Sequence, residues 1–365
     1  MDKTLKFPFY AKASLSIIGL FAFFGALYIT QHIIVPIIIA TIIAILLNPL
    51  VNFFVKKKMN RVLSIAVTII LVSLVTITFV VLLSSQMSVF IETFPKLLDK
   101  FHETLNNTRI WVSNNFNVSI PQINLFIADT KTDILDSSRL AIGSTLSTLG
   151  SALVIMFLIP VYVFMILFYK PLLLSFIRRL FDQSNHKEVN AVLISIKNII
   201  QRYLLALLLQ AAIIATLNSI GLLIIGIDYA IVLGIIGAFL NFIPYIGAIV
   251  SVSLFMMVAF ATKSSPSYSL WVLVNYIVIQ FIDNHYIIPK IVASKVKINA
   301  LVSIIVILAG AALWGIPGML LSIPLTAILK VIFDHIESLK PWGFLLGDTM
   351  PVIEKIKTEK EISLK

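Results

Sequence analysis

The sequence predicts an all-α, polytopic helical membrane protein with about six spanning helices, two opposed re-entrant hairpins and a small extracytoplasmic amphipathic helical module. Three observations predict it. Of 365 residues, 59% are hydrophobic and only 12% charged, with a mean hydropathy of +1.03, whereas a soluble domain carries about 25% charged residues. Apolar runs of bilayer length, about 20 residues, recur along the chain, and they are continuous where a membrane β-barrel would alternate. Two runs, 231–261 and 301–332, are too long for a single crossing and are interrupted by Pro and Gly.

The elements follow in order. Lys3, Lys6 and Lys12 precede a first span, Ala13 to Thr30, which lacks a small-residue cleavage site and reads as a retained helix. Gln31 and His32 form a short turn before a second span, Ile33 to Phe54. The loop from Lys56 to Arg61 has four basic residues and no acid, and a third span runs from Val62 to Met87. Residues 1–88 form the first unit.

The chain then changes character over 89–140. Phe90, Phe94, Leu97, Leu98, Phe101 and Leu105 recur at spacings of three and four, the mark of an amphipathic helix. This module carries five Lys/Arg against six Asp/Glu and is expected outside. Residues 141–202 supply a fourth span, Ala141 to Tyr169, and a basic cytoplasmic connection from Lys170 to Arg202. A fifth span, Tyr203 to Ile227, opens the expected transport core at 203–334, and 335–365 form a cytoplasmic tail.

The run 231–261 would be about 46 Å long as one helix, against a hydrocarbon core of about 30 Å. Pro244 removes a helical hydrogen bond and Gly247 relaxes the backbone after it. Each arm is then too short to cross, so a hairpin is expected. Charge agrees. A hairpin leaves Lys290, Lys295 and Lys297 inside and only Lys263 outside, after a span from Tyr268 to Ile288. The run 301–332 repeats the pattern, with breaks at Gly315, Pro317 and Gly318 and a further proline, Pro324. This topology puts 22 of the 28 Lys/Arg in the cytoplasm, leaving Lys263 and the five of the module outside. The net charge of +11 is thereby assigned to the positive-inside bias, and no nucleic-acid partner is implied.

Those residues carry a resemblance. Asn241-Phe-Ile-Pro-Tyr-Ile-Gly247, the run from Gln280 to Asn284 with Pro289-Lys290 after it, and the Gly/Pro-rich stretch 309–325 resemble the autoinducer-2 exporter (AI-2E) family of bacterial permeases. The resemblance is densest from Arg202 to Lys330. It implies a multi-pass protein of the bacterial inner membrane with a cytoplasmic N-terminus, which the charge topology extends to a cytoplasmic C-terminus, exporting a small signalling molecule in some members and exchanging cations for protons in others, and assembled as homo-oligomers, pentamers among them. Ala293-Ser294 stands where the family usually has a glycine, Asn299-Ala300 where it has His-Pro, and Leu204 where a glycine often follows Arg202-Tyr203.

Paired Gly/Pro-interrupted segments point to a transporter's midplane site, so Asn241, Pro244, Tyr245 and Gly247 at the first tip and Gly315, Pro317 and Gly318 at the second are candidates for the path of a small-molecule or ion substrate. Asp283 is the only acid placed within a span. Either it couples H⁺ or Na⁺ to transport, as an intramembrane carboxylate suggests, or it pairs structurally with Lys290 or Arg202. Gln280 and Asn284 beside it either bind substrate or join helices. Gln210 and Asn218, eight residues apart on the fifth span, and Arg202 and His285 are secondary candidates. Gly221, Gly226, Gly234 and Gly237 are read as permitting close helix approach.

The sequence has no cysteine, no paired histidine motif and no phosphate-binding Gly loop. No metal site, resident cofactor or ATP-driven step is therefore expected. No nucleophile–base set marks an enzyme. The expectation is a secondary transporter working by alternating access, with an elevator-like movement of 203–334 as one form. The alternatives are a cation/proton antiporter and a non-transporting membrane scaffold.

Overall fold

The computed structural model describes residues 8–81, 157–243, 246–263 and 267–349, with single positions 84, 103, 110, 113 and 265. Apart from those single positions, the module expected over 89–140 lies outside the described residues. So do the first half of the expected fourth span, Pro244, Tyr245 and most of the tail. The described chain is helical: α1 Phe9–Ile29, α2 Gln31–Lys56, α3 Arg61–Val81, α4 Phe157–Arg179, α5 His186–Ile225, α6 Ala230–Leu240, α7 Ile246–Thr262 and α8 Ser267–Ile282. A wide-turn π segment, Asp283–Ala293, prolongs α8, and α9 Ser294–Val296, α10 Ala300–His335 and α11 Lys340–Leu346 complete it. Six of these (α1 to α5 and α10) are long and apolar enough to cross a membrane.

Three boundaries differ from expectation. Gln31 and His32 belong to the first turn of α2, and the junction is Thr30 alone, at φ −91° and ψ 11°. That near-helical residue bends the axis without reversing it, so α1 does not pack back along α2. Helix α4 runs ten residues past Tyr169, to Arg179, and α5 starts at His186. The expected connection is thus mostly helix, tied by Arg178 Nε donating to Asn190 Oδ1 at 2.8 Å. Gly226 is a helix stop. It sits at φ +80° with open space around it, and Ile227 N–H reaches back to the Leu222 carbonyl, a glycine C-cap.

Helix α5, 40 residues long, is the spine. Its buried residues Ile200, Tyr203, Ala206, Gln210, Ile214, Asn218 and Leu222 recur every three or four positions, one stripe along the axis. That stripe meets α2 and α10 near Ile200, α9 and the π segment near Tyr203, and α6 and α8 from Ile214 onward. A second cluster, with Ala40, Ala44 and Val51 of α2, Ile65 of α3 and Val163 and Leu167 of α4, joins the early helices. In lipid such contacts rest on dense packing rather than on escape from water.

Two prolines inside helices, Pro49 and Pro289, are compensated locally. Pro49 cannot donate to the Ile45 carbonyl, and Gln201 Nε2 donates to it instead at 2.6 Å. Pro289 lies within the π segment, whose wider turns relieve the clash a proline ring makes with the carbonyl four residues back.

Both broken runs fold back as helical hairpins. In the first, α6 and α7 pair through Ala230, Leu233, Val258, Ala259 and Ala261. Gly247 lies directly against the Leu240 carbonyl, where no Cβ fits. At the mouth Lys263 Nζ lies 3.6 Å from Asp228 Oδ1, two residues a single straight helix would hold about 50 Å apart. In the second, Trp314 (φ −135°) and Gly315 (φ 61°, ψ −139°) leave helical geometry, and the backbone of Gly310 touches that of Gly318 across the turn. Asn299 Oδ1 caps the first arm by accepting from Val302 N–H, while its Nδ2 donates to the Leu345 and Gly347 carbonyls. Gly347 in turn lies against the Lys330 side chain of the second arm.

Candidate functional site

The tip of the first hairpin ends on the only fully buried carboxylate among the described residues. Asp283 is 0% exposed. Gln210 of α5 donates through Nε2 to both its oxygens, at 3.0 and 3.1 Å. Asn241, first residue of the α6–α7 link, donates through Nδ2 to Oδ2 at 2.8 Å. Gln280, one turn earlier on α8, donates to Asn241 Oδ1 at 3.3 Å and to the Tyr276 hydroxyl at 2.7 Å. Two elements, α5 and the α6–α7 link, therefore donate to one carboxylate and α8 braces the second donor, beside an apolar cluster that includes Ile214, Ala238, Ile279 and Ile287.

All donors to Asp283 are neutral amides. Neither Lys290 nor Arg202 pairs with it, and among the described residues the ion pairs lie elsewhere. Lys290 instead rests over the Tyr286 ring at 5.8 Å, and Arg202 is exposed. The structural pairing offered by the sequence is thus replaced by an amide cage. A carboxylate removed from water without a countercharge costs several kcal/mol, and a proton taken up by the carboxylate removes that cost.

The other sequence candidates divide. Gly247 is buried at the first tip and sets how closely α7 meets α6. Asn284 and His285 are exposed on the opposite side of the π segment, with His285 stacked on Phe281 at 4.2 Å. Gly315 and Pro317 are exposed and Gly318 is buried against Gly310. No described hydrogen bond links that tip to Asp283. Trp314 instead donates through Nε1 to the Leu27 carbonyl at 3.1 Å and packs with Val35, Ile42, Ile200 and Leu321. Pro244 and Tyr245 lie outside the described residues. Asn218 is buried two turns along α5 from Gln210, its Oδ1 without a hydrogen-bond partner.

Sequence reasoning missed Tyr276. It is buried, edge-on to Phe255 at 5.8 Å, and its hydroxyl carries the chain from Asp283 on to Ser251, which donates to the Gly247 carbonyl at 2.7 Å. The available signal was its place one turn before Gln280.

The match of this chain to known proteins bears on that site. The model of the AI-2E family transporters matches residues 17–338, a span that contains both hairpins and Asp283. The chain belongs to the AI-2E transporter family. Relatives within curated bacterial proteomes include YrrI of Bacillus subtilis (strain 168), 28% identical over 84% of this chain and 87% of its own length. Its name, like that of YueF from the same organism, classes it with transport proteins. The AI-2 transport protein TqsA of Escherichia coli (strain K12) is 25% identical over 87% of this chain and 90% of its own length. The AI-2E match covers the helices that build the amide cage, so this transporter family provides the setting in which the cage is to be read.

Proposed function

We propose that this AI-2E family protein is a secondary exporter of a small polar molecule in the bacterial inner membrane, working by alternating access. The observation that carries it is the buried Asp283 carboxylate, caged by Gln210 and Asn241, at the tip of a hairpin. In this reading both hairpins are re-entrant, entering from opposite faces. The Asp228–Lys263 contact at one mouth supports this, as does the joining of Asn299 and Lys330 through Gly347 at the other. The basic loop from Lys56 to Arg61 and the tail face the cytoplasm. Broken backbone is tolerated in the hydrocarbon zone only where protein or a cavity surrounds it, and the first tip has such a polar surround. An AI-2-like furanosyl signal is the first substrate to try, by likeness to the name of TqsA. An elevator-like displacement of 203–334 and a homo-oligomeric scaffold, a pentamer among the arrangements, belong to the same proposal.

Efflux of a labelled furanosyl signal from proteoliposomes tests it. Flux above empty vesicles is expected, and its absence counts against an organic substrate. The neutral amide donors of Asp283, with no ion pair to it among the described residues, favour one second reading, a sodium/proton antiporter, which would move protons in response to sodium with no organic solute present. Topology has its own test. The sequence has no cysteine, so Asp228→Cys and Lys263→Cys, which flank the first broken run, report alone. Labelling from the same face is expected, and labelling from opposite faces would remove the first hairpin.

A further inference from the structure

A cavity of about 380 Å³ opens at the basic end of the bundle, and none of its lining residues belongs to the Asp283 cage. Its wall has three chemistries. Pro49 and Phe53 of α2 are apolar, Asn48 and Asn52 are amides, and Lys56 of α2 and Lys197 of α5 are cationic. Lys170 of α4 adds a third cation beside it, donating to the Oδ1 of Asn48, itself only 5% exposed, at 2.9 Å. Arg61 and Lys197 are close enough to Lys170 to repel its charge, and Arg61 is fixed by donating to the Leu167 carbonyl at 3.1 Å.

Among the described residues none of these four cations has a carboxylate within ion-pair distance. Lys56, Lys197 and Arg61 are exposed and Lys170 half-buried. Lys170 and Arg61 are anchored by neutral acceptors that leave their charge uncancelled, and an anion among the four would relieve their mutual repulsion. The volume falls within the about 300–1,000 Å³ usual for a ligand pocket. Its level suits an amphiphile. α5 is about 60 Å long by its 40 residues, so its first turns, which carry Lys197, stand clear of a hydrocarbon core of about 30 Å. The cavity therefore sits where the helices leave the hydrocarbon, with the Phe53 ring exposed on its rim.

We propose that this cavity binds a phosphate-bearing anion, and that its resident is the headgroup of an anionic phospholipid. Basic pockets between transmembrane helices take such headgroups. Here the Lys56–Lys197–Lys170 group receives the phosphate, Asn52 the headgroup hydroxyls, and Phe53 with Pro49 the start of the acyl region. The lipid bridges α2, α4 and α5, joining the early helices to the spine.

The test uses the full chain, purified in a neutral detergent and stripped of lipid. Retention of phosphatidylglycerol and of phosphatidylcholine is counted by native mass spectrometry, and inorganic phosphate is added as competitor. The protein should retain phosphatidylglycerol in preference to phosphatidylcholine. Lys56→Gln and Lys197→Gln should each reduce that retention about fivefold, Lys56→Arg with Lys197→Arg should restore it, and Lys295→Gln, at an exposed lysine outside the cavity, should leave it unchanged. Displacement by millimolar phosphate would assign the site to soluble phosphate as well as lipid, and no displacement would assign it to lipid alone. Equal retention of the two lipids with no phosphate effect, or undiminished phosphatidylglycerol on the Lys56→Gln/Lys197→Gln protein, overturns the proposal.

Discussion

The two hairpins share a plan and differ at their tips. Each is a pair of apolar helices closed by a Pro/Gly break and held together at its mouth. The first presents Asn241, an amide, to a buried carboxylate. The second presents Trp314, whose ring packs among Val35, Ile42 and Leu321 and whose N–H holds the Leu27 carbonyl. The same backbone device thus presents an amide to a buried acid at one tip and an aromatic anchor to its neighbours at the other. A broken helix frees polar groups, and the side chains that meet them decide which use is made.

That contrast can be broken in several ways. The largest effect is expected from Asp283→Asn, which keeps the shape of the cage and removes its charge. Solute-coupled or sodium-coupled proton movement in proteoliposomes should fall by at least about two orders of magnitude, on the several kcal/mol at stake for an intramembrane charge, and its pH dependence should vanish. Unchanged flux would remove Asp283 from the mechanism. Asn241→Leu and Gln210→Leu leave the carboxylate short of donors, and hydrogen bonds to charged groups are worth about 1.5–3 kcal/mol. Each should lower flux about tenfold or more, while thermal unfolding in detergent shows the chain still folded.

At the second tip the order reverses, with stability changing and chemistry staying. Gly318→Leu drives a side chain into the Gly310 carbonyl, and overpacking of this kind costs about 1–3 kcal/mol. The melting temperature should fall, with Asp283-dependent coupling kept in the folded fraction. Trp314→Phe removes one hydrogen bond worth about 1 kcal/mol and should shift melting slightly without touching flux. If Trp314→Phe abolishes transport, the second tip is more than an anchor. The smallest change belongs to Asp228→Asn at the first mouth, where an exposed ion pair is worth about 0–1 kcal/mol, read as a small loss of stability that salt also produces.

Much of this architecture was legible in the sequence, and the reasons are specific. Continuous apolar runs give the helices. Pro and Gly at 244–247 and 315–318 give the breaks, because lost hydrogen bonds and a permissive backbone are local properties. Asp283 stood out because an acid within a span is costly wherever it faces. Its partners did not. Gln210 is 73 residues away in sequence, and its meeting with Asp283 is set by how α5 crosses the π segment, which no local pattern encodes. Lys290 and Arg202 were offered as partners because opposite charges attract, but both side chains reach the surface, where water serves them better. The length of α5 was missed for a related reason. Its first turns are polar on most sides, and a boundary drawn from hydropathy ends where the oil ends, while the hydrogen-bonded ladder carries on.

The wide turns of Asp283–Ala293 have a consequence for how this chain can change over time. Deleting one residue there would tighten the coil and swing everything downstream through about 100° relative to what lies upstream. The acid would stay with its amides while Val292 and Val296 left their seats against Tyr203 and Ala327, or the reverse. Beyond Asp283, a substitution in this stretch leaves that register in place; a change in its residue count does not.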